Sequence, residues 1–227
     1  MAIGQNEWRG VGLDRQVQPA SSNPVIVDGE MLAMWRGEDG PVRIWEDRCP
    51  HRGMRLSFGF VRGDALRCIY HGWSYRTDGQ CIEIPAHPEL TPPKTICASS
   101  YPAESRYGIV WTNLERGGPA PFPDLGPDEG WLPVRSLYVN RPAGQVEAAV
   151  ESFDFGAPSS IRLKNPSAIL LGIGSQMEML LAIQPVNADR TGLHAVVRGE
   201  NASAARADLA RRMQHLRAEI EAEREKK

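Results

Sequence analysis

Two short segments constrain this chain more than any other feature: Cys49-Pro50-His51 and Cys68-Ile69-Tyr70-His71, with 16 residues between them. In C-x-H, residues two apart on extended backbone project to the same side. In C-x-x-H, a tight turn must bring the two side chains together. Gly72 follows at once to permit it, as Gly53 does after the first pair. Each pair is therefore expected at the tip of a loop between strands, and two facing tips would offer two thiolates and two imidazoles. Zinc accepts two Cys and two His in a tetrahedral site, but its sites usually pair Cys with Cys and His with His. Here each half-site is one Cys plus one His.

The surroundings read as β structure. Residues 1–116 are short apolar runs separated by turn signals. Pro24 to Val27 precede Asp28-Gly29, Met31 to Trp35 precede Gly37 to Gly40, and Val42 to Trp45 follow. Asp-Gly between such runs is a strong hairpin signal. Trp73 to Tyr75, Thr77-Asp78-Gly79 and Cys81 to Ile84 repeat the pattern, and Gly108 to Trp111 looks like a closing strand. Residues 117–130 (GGPAPFPDLGPDEG) are rich in Gly and Pro and read as a linker. Beyond it, over 131–227, a strand is expected at Pro133–Asn140 and a short helix at Gln145–Ser152. Ile169–Ile173, Met177–Ile183 and Leu193–Val197 then suggest an antiparallel meander. Leu209, Met213, Leu216 and Ile220 share one face of a helix over 203–225, capped by Ser203 and packed on the meander.

Composition narrows the class. With 41% apolar residues in 227, a sizeable core needs no disulfides, and four cysteines are too few to staple the chain. A net charge of −2 gives no bulk attraction to nucleic acid or anionic membrane. No apolar run approaches the ~20 residues of a membrane span. Met1 to Arg9 lack the basic stretch and apolar core of a signal peptide. A cytoplasmic setting with reduced thiols is expected, with neither nucleic acid nor membrane as partner.

The segment CPHRGMRLSFGFVRGDALRCIYHGWSYRTDGQC resembles the Rieske motif of the Rieske non-haem iron oxygenases, the ring-hydroxylating and demethylating enzymes. The resemblance runs from about Trp8 to Leu114. CIEIPAHPELTPPK and YPAESRYGIVWTNL resemble the monooxygenase branch. It implies a Rieske [2Fe–2S] cluster, with Cys49 and Cys68 on one iron and His51 and His71 on the other. Respiratory Rieske proteins carry an extra cysteine in each loop; the nearby positions here hold Met54 and Tyr70. Two thiolates and two neutral imidazoles on an oxidised cluster sum to zero charge, so an electron is added more easily than to a Cys₄ cluster. Potentials of roughly −150 to +300 mV follow, against about −400 mV for plant-type ferredoxins. The implied fold is mainly β: a Rieske-type antiparallel β domain, then a truncated α+β helix-grip-like domain with a C-terminal helix.

Residues 48–76 hold six arginines (Arg48, Arg52, Arg55, Arg62, Arg67, Arg76) and the acids Asp64 alone. This local excess suggests a docking patch for an acidic ferredoxin or flavin reductase as electron donor.

The family pattern breaks further on. Its catalytic iron is held by two histidines and a carboxylate, the histidines following a Glu-Asn-x-x-Asp segment as D-x-x-H-x₄-H. QVEAAVESFD resembles that segment's start, placing Glu151-Ser152 near Glu-Asn and Asp154 near its Asp. The histidine positions hold Ala157 and Arg162, and beyond the cluster only His87, His194 and His215 remain. No mononuclear Fe(II) is expected, and no catalytic residue is assigned. Cys81 and Cys97 read as buried apolar thiols, Glu83 and Glu104 as surface charges. A one-electron oxidoreductase serving an oxygenase centre is the leading expectation. A complete oxygenase and a non-catalytic assembly subunit are the alternatives. A full-length oxygenase subunit and a homo- or hetero-trimer are the implied associations.

Overall fold

The computed structural model describes residues 6–165 and 167–222. The reading of Met1–Arg9 thus falls partly outside the described residues, as do positions 223–225 of the expected C-terminal helix.

The strands, in chain order, are β1 (Trp8–Leu13), β2 (Ser21–Val27), β3 (Glu30–Arg36), β4 (Arg43–Glu46), β5 (Phe60–Arg62), β6 (Ala65–Arg67), β7 (Ser74–Arg76), β8 (Cys81–Glu83), β9 (Ser100–Tyr101), β10 (Ala103–Arg106), β11 (Ile109–Asn113) and β12 (Leu132–Val139). Helix α1 (Ala143–Ser152) follows, then β13 (Ser159–Asn165), β14 (Ala168–Ile173), β15 (Met177–Asn187), β16 (Arg190–Gly199) and helix α2 (Ala202–Ala222). They form four antiparallel sheets, ordered β1-β11-β10, β2-β3-β4-β9, β5-β6-β7-β8 and β12-β16-β15-β14-β13. The chain is mainly β, as its pattern implies.

Turn chemistry sets the hairpins. Asp28 and Gly29 take φ of 50° and 87°, the left-handed pair that a two-residue hairpin loop requires, and Val27 pairs with Glu30 across it. The three inner strands β14, β15 and β16 of the five-stranded sheet are buried on both faces, which is why they are almost continuously apolar. Ile169, Leu171 and Ile173 of β14, Met179, Leu181 and Ile183 of β15, and Leu193, Ala195 and Val197 of β16 pack against the helices. Leu209, Met213, Leu216 and Ile220 supply the α2 side of that core, each worth about 1.5–3 kcal/mol when fully buried. The alternate residues Ala168, Leu170, Leu180, Ala182 and Val196 face the other way, onto Trp8, Leu13, Ile109 and Trp111 of β1 and β11. One apolar layer therefore joins the N-terminal sheets to the C-terminal one. Gly10 permits the closest approach: a Cβ there would overlap that of Ala182.

Polar groups also cross this seam. Gln184 donates to the Ile26 carbonyl at 2.7 Å, which turns its own amide oxygen toward His194 Nε2, 2.7 Å away. Nε2 must then carry the ring proton, which leaves Nδ1 as an acceptor, 2.8 Å from the Ser136 hydroxyl. Arg9, 1% exposed, donates to Ser167 Oγ at 2.5 Å and to Glu7 at 2.7 Å.

Residues 117–130 carry no strand or helix, yet they are held against the seam. Trp8 Nε1 donates to the Ala120 carbonyl at 2.8 Å, Phe122 packs 5.1 Å from Trp8, and Leu125 is 1% exposed.

Two local expectations are corrected. Strand β13 was not foreseen. Its exposed edge, Ser159 to Asn165, offers only Ile161 and Leu163 as apolar residues, too faint an alternation to stand out. Helix α2 starts at Ala202, so Ser203 lies in its first turn and is not the cap ahead of it. Strand β11 closes residues 1–116 in chain order, as expected, and lies at the centre of its sheet between β1 and β10. No helix among the described residues is long and apolar enough to cross a membrane.

Candidate metal centre

Both Cys/His pairs sit on loops at one end of the β5-β6-β7-β8 sheet: residues 49–54 lead from β4 toward β5, and residues 68–73 join β6 to β7. The loops are built alike. Cys49 N–H donates to the Met54 carbonyl at 2.8 Å, and Gly53 N–H returns to the Cys49 carbonyl at 2.8 Å. Cys68 N–H donates to the Trp73 carbonyl at 2.9 Å, and Gly72 N–H returns to the Cys68 carbonyl at 3.0 Å. Gly53 and Gly72 have φ of 74° and 73°, the left-handed region that closes each turn. This corrects the expectation of extended backbone at Cys49-Pro50-His51. The first pair is as tightly turned as the second, despite the shorter spacing.

The four side chains divide by burial. Cys49 and Cys68 are each 2% exposed, inside a core with Trp35, Trp45, Leu56, Leu66 and Tyr75. The two imidazoles lie outward of them, ring centroids 4.8 Å apart and edge to face. His51 stacks on Trp73 at 4.0 Å with the planes 6° apart, and His71 lies against Tyr70 at 3.8 Å. The Tyr75 hydroxyl is 3.1 Å from Cys49 Sγ.

Electrostatics follow this division. Burial, with the neighbouring Cys49 thiol adding to it, pushes the Cys68 thiol above its usual range. Burial pushes the Tyr75 phenol well up, so it stays protonated and serves as a donor. Desolvation, His71 and Arg52 lower the pKa of His51, which favours the neutral, ligating imidazole. Metal entry must displace the thiol protons.

Among the described residues, no three of His, Cys, Asp and Glu converge on one ion position. Two sulfurs on the inside and two imidazoles on the outside form two donor pairs. A single tetrahedral zinc would need all four at one point; a binuclear iron–sulfur cluster takes a pair on each iron. The donor set fits the cluster.

The histidines beyond these loops stay apart. His194 is 1% exposed in β16 and faces the seam, whereas His215 is exposed on α2. Asp154 is exposed and accepts from Gly156 N–H at 2.7 Å. Of the positions where the family carries its histidines, Ala157 packs at the edge of the helix-side core and Arg162 pairs with Glu178 at 2.9 Å. Cys81 is buried as expected; Cys97 is exposed, which corrects that expectation. It lies in the irregular stretch before β9, bridged to Gln80, with its thiol 3.6 Å from the Asp78 carbonyl. Glu83 pairs with Arg67 at 2.8 Å, and Glu104 is exposed.

The arginine excess is smaller in space than in sequence. Arg55 pairs with buried Asp47 at 3.3 Å, Arg67 with Glu83, and Arg76 with Asp78 at 2.5 Å. Arg48, Arg52 and Arg62 are exposed and have no carboxylate partner among the described residues. Sequence reasoning missed Tyr75 and Trp73, because their roles come from contacts across the two loops.

The paired loops on a small antiparallel sheet define a Rieske-type iron–sulfur protein. Residues 7–101 match the family described as Rieske [2Fe-2S] domain. Oxidoreductase NdmD of Pseudomonas putida is 31% identical over 186 residues, 82% of this chain and 30% of that protein. The 4beta-methylsterol monooxygenase of Methylococcus capsulatus is 37% identical over 142 residues, 59% of this chain and 37% of that one. The matched stretch is thus about a third of the length of these relatives. The solved structure of Pseudomonas putida CBB5 NdmA superposes with a TM-score of 0.76 at 20% identity, covering 96% of this chain and 81% of its own. Residues 7–101 thus belong to the Rieske [2Fe-2S] domain family.

Proposed function

We propose that this protein is a one-electron carrier: Cys49, His51, Cys68 and His71 hold a Rieske [2Fe–2S] cluster in residues 1–116. Residues 131–227, joined through 117–130, form an oxygenase-like domain with no catalytic iron of its own. The observation that carries the reading is the two-and-two division of four donors on matched loops. When bound, such a cluster takes up one electron and gives it back. The chain's own residues do the rest. The core around Cys49 and Cys68 keeps water from the sulfurs, and Tyr75 donates a hydrogen bond to Cys49. The His71 side offers an exposed edge, where Ile69 and Tyr70 are each 56% exposed.

The donor is a ferredoxin or flavin reductase with an acidic face, met by Arg48, Arg52 and Arg62. The acceptor is a full-length oxygenase subunit, associated with this chain in a trimer.

The overlay of the whole chain on NdmA, which covers 96% of this chain and 81% of that one, favours a second reading: a complete oxygenase whose mononuclear iron is held by other residues. Anaerobic loading with Fe(II), followed by iron analysis before and after mild chelation, separates the two. Two irons per chain that resist the chelator are expected. A third, removable iron would establish the second reading.

A further inference from the structure

We infer that Trp73 is the positioning residue for His51, fixing the plane of this imidazole from the opposite loop. The inference rests on the ligand reading above. The indole lies flat on the ring, with centroids 4.0 Å apart and planes 6° from parallel. Trp73 belongs to the Cys68 loop, whereas His51 belongs to the Cys49 loop. The stack is therefore a cross-tie between two tips that are otherwise separate turns.

The indole can act this way because it is itself anchored. Its carbonyl accepts the Cys68 N–H at 2.9 Å, and its side chain packs against the core that encloses Cys49 and Cys68. His71 has no such support. Its ring lies 34° from the plane of Tyr70, its neighbour in sequence, which is 56% exposed. The two imidazoles are thus held unequally. The indole on one face and the His71 ring, 4.8 Å away and 65° from parallel, leave His51 little room to turn. An imidazole that ligates iron couples to it through the orientation of its ring plane. A ring freed to turn samples a range of couplings and releases the metal more readily.

The test uses Trp73→Leu and Trp73→Phe in the cluster-loaded protein, with Tyr70→Leu as the control. Two readouts are compared: the nitrogen hyperfine couplings of the reduced protein by pulsed EPR, and the rate of iron loss to a chelator. Trp73→Leu is expected to broaden one of the two nitrogen couplings and leave the other sharp. It should lose iron about two- to tenfold faster, the range that aromatic pair energies correspond to. Trp73→Phe should fall between Leu and wild type, and Tyr70→Leu should leave the broadened coupling unaffected. Wild-type couplings and an unchanged iron-loss rate in Trp73→Leu overturn the proposal. If Trp73→Leu comes out without a cluster, Trp73→Phe decides: an intermediate rate supports the assignment and a wild-type rate overturns it. Wild-type protein that binds no iron and sulfide would instead sink the ligand reading itself.

Discussion

The Tyr75 hydroxyl meets Cys49 Sγ at 3.1 Å inside a core that excludes water. With Cys49 as a thiolate, Tyr75 is the donor, and its phenol, pushed up by burial, remains protonated to fill that role. A hydrogen bond to a ligand sulfur withdraws charge and favours the reduced cluster. Tyr75→Phe should keep the cluster and lower its midpoint potential. If the bond favours the reduced state by about 1–2 kcal/mol, part of the ~1.5–3 typical of hydrogen bonds to charged groups, the shift is roughly 40–90 mV. An EPR-monitored redox titration reads it; an unchanged potential would remove Tyr75 from the tuning role.

His194 gives a prediction about stability. Burial lowers its pKa from 6.5 to about 4, so the folded protein holds it neutral. The unfolded chain takes up a proton near pH 6.5, and the folded one does so only near pH 4. The stabilisation is complete above about pH 6.5 and is lost as pH falls toward 4, amounting to roughly 3 kcal/mol over that window. Denaturant unfolding of wild type and His194→Gln at several pH values checks this. The variant should be less stable at pH 7 and show a flatter dependence between pH 6.5 and 4; parallel curves would contradict it.

Gly10 tests the seam between the two halves. A methyl group at this position meets Ala182 of β15, so Gly10→Ala should destabilise the protein by about 1–3 kcal/mol, the usual cost of overpacking. A single unfolding transition at lower denaturant is expected. Unchanged stability would mean that β1 and β15 are not packed this closely.

Unpaired arginines should steer the donor. Reversing Arg52 to Glu is expected to slow reduction by an acidic donor about two- to fivefold at low salt, with the difference vanishing at high salt. Arg67→Glu, which removes a guanidinium already paired with Glu83, should act less on the rate. Stopped-flow reduction across ionic strength separates the two.

How much was legible beforehand depends on how local each signal is. That the Cys49–His51 and Cys68–His71 pairs would sit on two facing turns was readable because residue type and spacing lie within a few residues, and Gly53 and Gly72 mark the turns. The inner strands β14, β15 and β16 were readable because burial on both faces leaves long apolar runs, as in Ile169 to Ile173. Edge strand β13 was not, because one exposed face dilutes its pattern. The tight turn at Pro50-His51 was missed because two-residue spacing also suits extended backbone. The arginine excess was overstated because Asp47, Asp78 and Glu83 neutralise part of it through space. Tyr75 and Trp73 became visible only once the two loops were brought together.

Iron and acid-labile sulfide, measured per chain on anaerobically purified protein, test the central claim most directly. Two irons and two sulfides are expected, and both should be lost in Cys68→Ser. A colourless protein, or one carrying a lone zinc with no sulfide, would contradict it.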